Sequence, residues 1–85
     1  MIQQTVEINN KAGLYARSIT QLVEVASRFH SEIFLTHNGH KANLKSILGV
    51  LSLAIPRQAE ITLEVSGKDE KEALEQVIKT FESLE

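Results

Sequence analysis

The chain of 85 residues has no cysteine and no tryptophan, and only one proline and one tyrosine. Without cysteine there is no disulfide framework, no thiol nucleophile and no zinc–thiolate site. One tyrosine and three phenylalanines leave few platforms for base stacking. Excess charge is missing too: 9 Lys+Arg stand against 11 Asp+Glu, a formal net charge of -2 with His neutral. General nucleic-acid binding needs a basic surface, so direct contact with nucleic acid is not expected. No apolar run approaches the roughly 18–20 residues of a membrane span. The start, Met1 to Glu7, lacks the basic residues and long apolar stretch of a signal peptide. The expectation is a soluble cytoplasmic protein that touches no membrane.

What is present is ordinary globular composition, 42% hydrophobic and 24% charged. No repeat, low-complexity tract or linker interrupts it, so residues 1–85 read as a single domain. Its one core has little margin, because small chains bury a smaller share of their surface.

Hydrophobic periodicity divides the chain. Ile2, Val6 and Ile8 share one parity, with Gln3, Thr5 and Glu7 between them, which predicts a half-buried strand over 2–8. Asn9 to Gly13 is turn chemistry. Ile19, Leu22, Val23 and Ala26 then follow helical spacing, predicting a helix from Ala16 to Arg28. Glu32 to His37 reads as a second strand. His37-Asn38-Gly39-His40 marks a hairpin, because Asn-Gly accepts the positive φ angles of a type I′ turn. A third strand follows near Lys41-Ala42-Asn43. Lys45 to Ala54 reads as a short apolar helix with Ser46 as its N-cap, ended with the help of Pro56. Glu60 to Val65 alternates cleanly, with Ile61, Leu63 and Val65 inward. Asp69 with Glu72 resembles a capping box for a last helix carrying Leu74, Val77, Ile78, Phe81 and Leu84 on one face. The order β-α-β-β-α-β-α, with an explicit hairpin and alternating strands, predicts an α+β open-faced sandwich: an antiparallel sheet with helices on one side.

Catalytic motifs are missing. Gly67-Lys68 belongs to no phosphate loop, there is no H-E-x-x-H, and no Gly-x-Ser-x-Gly elbow occurs. The chain therefore reads as a binding or acceptor protein rather than an enzyme. His37 and His40 flank the hairpin turn and could face one another, but two imidazoles make an incomplete metal site. With His30 they read as solvated loop residues, and neither a metal nor a cofactor is expected.

Ser46 has two readings. It is a helix cap, or a cap that also accepts phosphate, with Lys45 and Arg17 as sources of countercharge. Ile47, Leu48 and Leu51 also have two. They belong to the core, or they stay exposed as a docking patch while Val50, Leu53 and Ala54 face inward.

Two stretches carry a family resemblance: Ala12-Gly13-Leu14-Tyr15-Ala16-Arg17-Ser18, and Asn43-Leu44-Lys45-Ser46-Ile47-Leu48-Gly49-Val50-Leu51-Ser52-Leu53. With them the whole chain resembles the HPr family, the histidine-containing phosphocarrier proteins of the bacterial sugar phosphotransferase system. The resemblance implies an HPr-like βαββαβα fold, a four-stranded antiparallel sheet covered on one face by three helices. In the family, a histidine in the first stretch accepts phosphoryl from enzyme I and passes it to enzymes II. Here that position is Tyr15, and the proline that follows in the family pattern is replaced by Ser18. Phenols ionise near pH 10, so a tyrosine is a poor match for reversible relay at neutral pH. The second stretch matches the Gram-positive members that carry a regulatory serine, with Ser46 in its place.

A lost histidine with a retained serine resembles the catabolite-repression (Crh) branch of the family. That branch carries Gln where this chain has Tyr15, so Tyr15 departs from its pattern as well. The resemblance implies phosphorylation of Ser46 by HPr kinase/phosphorylase. The phosphorylated form would then bind CcpA, a LacI-type repressor, as corepressor. Arg17, Lys45, Ile47, Leu48 and Leu51 match the family's partner-binding surface. Two alternatives stay open: a phosphocarrier still active in sugar uptake, and an unmodified competitor for HPr partners.

Overall fold

A computed structural model describes residues 1–84. Its elements are β1 (Ile2–Glu7), α1 (Ala16–Ala26), β2 (Glu32–His37), β3 (His40–Asn43), α2 (Ile47–Leu51), β4 (Glu60–Ser66) and α3 (Glu70–Ser83). They follow the predicted βαββαβα order. The four strands form one sheet in the order β1-β4-β2-β3, antiparallel throughout.

Register explains the core. Ile2 and Val6 pair with Val65 and Ile61, while Ile33 and Leu35 pair with Val65 and Leu63. Ala42 lies opposite Leu35. One parity of the sheet is thereby apolar, and Ile33, Leu35, Leu63 and Val65 are fully buried. α3 lies over β1 and β4, α2 packs against β3, and α1 packs against both helices. The helices contribute Ile19, Leu22, Ala26, Val50, Ala73, Val77 and Phe81 to the same cluster. The other sheet face is polar. There Lys41 Nζ sits 3.6 Å from Glu64 and 4.6 Å from the centre of the Phe34 ring.

The hairpin closes as the sequence predicts, with Asn38 at φ 50° and Gly39 at φ 80° between the paired residues His37 and His40. Several boundaries differ from the sequence pattern. α1 stops at Ala26 rather than Arg28. The Arg28 and Phe29 amides bond three residues back to Val25 and Ala26, a tightened turn that frees the chain to enter β2. β3 begins one residue earlier than predicted, and β4 ends one residue later.

α2 has five residues, not ten. The turn after it tightens through Leu53 and Ala54 amides bonded to Val50 and Leu51 carbonyls. Ala54 then takes φ 49°, and Ile55, which precedes Pro56, is biased away from helical backbone. Ala54 is therefore exposed rather than facing inward, and Ile55 takes the core position. The Asp69–Glu72 capping box does not form. The Asp69 side chain makes no bond to its own helix, because its carboxylate accepts from the His30 and Ser31 amides, both at 2.9 Å, and from the Ser31 hydroxyl. Those bonds fasten the start of α3 to the entrance of β2.

Candidate functional site

The site has two helix openings on packed helices, α1 and α2. Gly13 sets the first. Its φ of 72° is left-handed, and a Cβ there would lie 2.6 Å from Arg57 N and 2.7 Å from Pro56 C. The buried Asn10 side chain donates to the Gly13 carbonyl at 2.6 Å, and the Leu14 amide donates to Ile55 at 3.0 Å. The loop before α1 is thus pinned to the segment after α2, with Leu14 buried beneath it.

Tyr15 emerges from that loop as the N-cap of α1, with extended backbone and a side chain 39% exposed. Its amide donates to Ser18 Oγ at 3.0 Å, and the Ser18 hydroxyl donates back to the Tyr15 carbonyl at 3.0 Å. Ser18 thus ties down the cap backbone, as the third residue of a helix does in a capping box. A cavity of about 180 Å³ beside it is lined by Tyr15, Arg17, Ser18, Gln21, Ser83 and Leu84. Arg17 is exposed and shares this cavity with Tyr15 and the end of α3.

Ser46 is the second opening. It caps α2 as predicted: its backbone is extended and its Oγ accepts from the Gly49 amide at 3.1 Å. The bond uses an oxygen lone pair and leaves the hydroxyl proton available. Ser46 is half-buried, and the next side chains are open: Ile47 is 39% exposed, Leu48 79% and Leu51 38%. Among the described residues, the exposed large apolar side chains are these three, Tyr15, and Met1 at the terminus. Four of the five thus belong to α2 and to the N-cap of α1, two helices that pack on each other.

Lys45 stands immediately before the Ser46 cap. Its side chain is half-buried and its ammonium donates inward to the Phe29 carbonyl at 2.7 Å. Its amide donates to Asn43 Oδ1 at 2.8 Å, which ties the turn into α2. Nothing local in the sequence signals the Phe29 contact, which spans 16 residues. None of the three histidines lines the cavity beside Tyr15. His37 and His40 pair across the hairpin, the His37 Nδ1 is buried, and His30 stands at the α1–β2 turn. No group of three metal-ligating side chains gathers among the described residues. No helix there is long and apolar enough to cross a membrane.

A four-stranded antiparallel sheet under three helices, with an exposed cap before α1 and a serine cap before α2, makes the protein an α+β open-faced sandwich. The profile of the family described as "PTS HPr component phosphorylation site" matches residues 2–83, and the chain belongs to the HPr family. It is 48% identical over 77 residues to the HPr-like protein Crh of Bacillus subtilis, covering 91% of each chain. The Crh protein of Halalkalibacterium halodurans is 46% identical, over 96% of this chain and 98% of the relative. Among solved structures, HPr of Thermoanaerobacter tengcongensis superposes with a TM-score of 0.94 at 38% identity, covering 98% of this chain and 93% of that one. The Crh crystal structure from Bacillus subtilis, described as a swapped dimer, gives 0.77 at 45% identity, over 96% and 94%.

Proposed function

We propose that this protein is a Crh-like regulator of carbon catabolite repression, switched by phosphorylation at Ser46. The observation that carries the reading is the position of Ser46: its hydroxyl proton is available, and it opens the helix that displays Ile47, Leu48 and Leu51. In the reaction, HPr kinase/phosphorylase transfers the γ-phosphoryl group of ATP. The Ser46 Oγ–P bond forms as the bond from phosphorus to the bridging oxygen of ADP breaks, and the hydroxyl proton passes to a base of the kinase. The product carries about −1.5 to −2 charge where the serine was neutral. The partner is then CcpA, with Ile47, Leu48 and Leu51 giving buried contact area and Arg17 and the phosphate giving specificity. Lys45 serves the same surface from beneath.

Relay of phosphoryl from enzyme I is not part of this reading, because Tyr15 holds the position of the family's histidine. The test is intact mass after incubation with ATP and a Gram-positive HPr kinase/phosphorylase, beside Ser46→Ala. One added phosphate that vanishes in the variant is expected, followed by CcpA binding that requires it. No addition, with HPr modified normally in the same tube, overturns the reading. Label taken from phosphoenolpyruvate and enzyme I would instead favour a phosphocarrier.

A further inference from the structure

The peptide joining Phe29 to His30 stands between two opposite charges. Its carbonyl accepts from the Lys45 ammonium at 2.7 Å, and its N–H donates to Asp69 Oδ2 at 2.9 Å. The second Asp69 oxygen accepts from the Ser31 amide at 2.9 Å and from the Ser31 hydroxyl. An ammonium on the carbonyl oxygen makes the N–H of the same peptide a better donor. A carboxylate on that N–H makes the oxygen a better acceptor. The two bonds strengthen one another, and both are charge-assisted. The Ser31 and His30 donors hold the Asp69 carboxyl down at about 2, so it is ionised at neutral pH.

On the other side, Lys45 immediately precedes the Ser46 cap. The buried Leu44 donates its amide to Ile33 at 2.8 Å, and the Ser46 amide donates to the Asn43 carbonyl at 3.0 Å. The Lys45 side chain adds the lateral tie, from this turn to the turn between α1 and β2. We infer that Lys45 is a positioning residue for Ser46: its ammonium and the Asp69 carboxylate clamp the Phe29–His30 peptide from both sides, and the clamp holds the Ser46 hydroxyl in place on the surface. Lys45 is then an inward strut, where a docking cation would point its ammonium to solvent. The inference rests on the reading of Ser46 as phosphoacceptor.

The test uses the full chain with Lys45→Met, which keeps the stem, Lys45→Arg, which keeps a cation, and Asp69→Asn. Steady-state phosphorylation of Ser46 and hydrogen exchange at the His30 amide are measured together. Lys45→Met is expected to lower kcat about tenfold with KM within about twofold, since misplacing the acceptor costs the transition state more than binding. Lys45→Arg restores it. Asp69→Asn, at the start of α3, lowers kcat in the same way, and the double variant is no worse than the poorer single one. Exchange at His30 rises about threefold in Lys45→Met, although Lys45 does not touch that N–H.

A KM increase with kcat unchanged, steepening with salt, would make Lys45 a docking cation and overturn the inference. So would unchanged His30 exchange in Lys45→Met. Wild-type protein that takes no phosphate overturns the Ser46 reading and the inference with it. Phosphorylated wild type with an indifferent Lys45→Met overturns the inference alone.

Discussion

Replacing Gly13 by alanine tests whether close backbone packing holds the loop that presents Tyr15. At φ 72° a non-glycine residue costs about 1–2 kcal/mol. The alanine narrows the unfolded ensemble and recovers about 0.4–1 kcal/mol of that. The new Cβ would also lie 2.6 Å from Arg57 N, 2.7 Å from Pro56 C and 3.0 Å from Ile55 O. All three are backbone atoms, so no rotamer change relieves the clash, and overpacking adds about 1–3 kcal/mol. The net expectation is about 2–4 kcal/mol. In a domain of this size each kcal/mol moves Tm by about 4–8 °C, so the variant should melt at least about 8 °C lower. Gly39→Ala is the internal control. Its φ is 80°, but nothing lies within 4 Å of a Cβ there, so it should lose only about 1 kcal/mol, or about 5 °C. Thermal unfolding followed by circular dichroism measures both. Equal shifts in the two variants would refute the role assigned to packing of Gly13 against residues 55–57.

Two further substitutions bear on the same framework. Ser46→Ala removes the acceptor of the Gly49 amide and should destabilise by about 1 kcal/mol, while Ser46→Asp, an equally good cap, should recover it; urea unfolding reads the difference. Asp69 has its carboxyl lowered to about 2, first by the Ser31 hydroxyl and then by the His30 amide. Its stabilisation is complete above the ordinary aspartate value of 3.8 and disappears as pH falls through about 2. The stability gap between wild type and Asp69→Asn should therefore be constant at neutral pH and close between about pH 4 and pH 2; a gap independent of pH would refute the assignment.

Much of the fold is legible in short stretches. The period-2 runs at Ile2–Ile8 and Glu60–Val65 and the helical spacing of Ile19, Leu22 and Ala26 need only neighbours within one turn or one pleat to be read. Asn38-Gly39 and the Ser46 cap are equally local, and each stands where the sequence puts it. Two side chains take partners that local spacing does not indicate, for one physical reason. Asp69 has the type and spacing of a helix cap, yet it meets better donors 38 and 39 residues away. Lys45 reads as a source of countercharge beside Ser46, and in the fold its ammonium also meets a carbonyl 16 residues back. A side-chain acceptor or donor takes the strongest partner that packing supplies, and spacing along the chain does not reveal which that is.

The sequence by itself determined the order and type of the elements, the absence of thiol chemistry, and the family to which the motifs around Tyr15 and Ser46 belong. Tertiary structure decided which apolar residues stay exposed. Ile47, Leu48 and Leu51 differ little in hydrophobicity from Val50 and Ile55. Burial went to the latter pair because α2 is one short turn, with only one side against the core. Tertiary structure also decided that Gly13 fits against residues 55–57 and that Lys45 and Asp69 share one peptide, because those contacts exist only once the helices lie on the sheet.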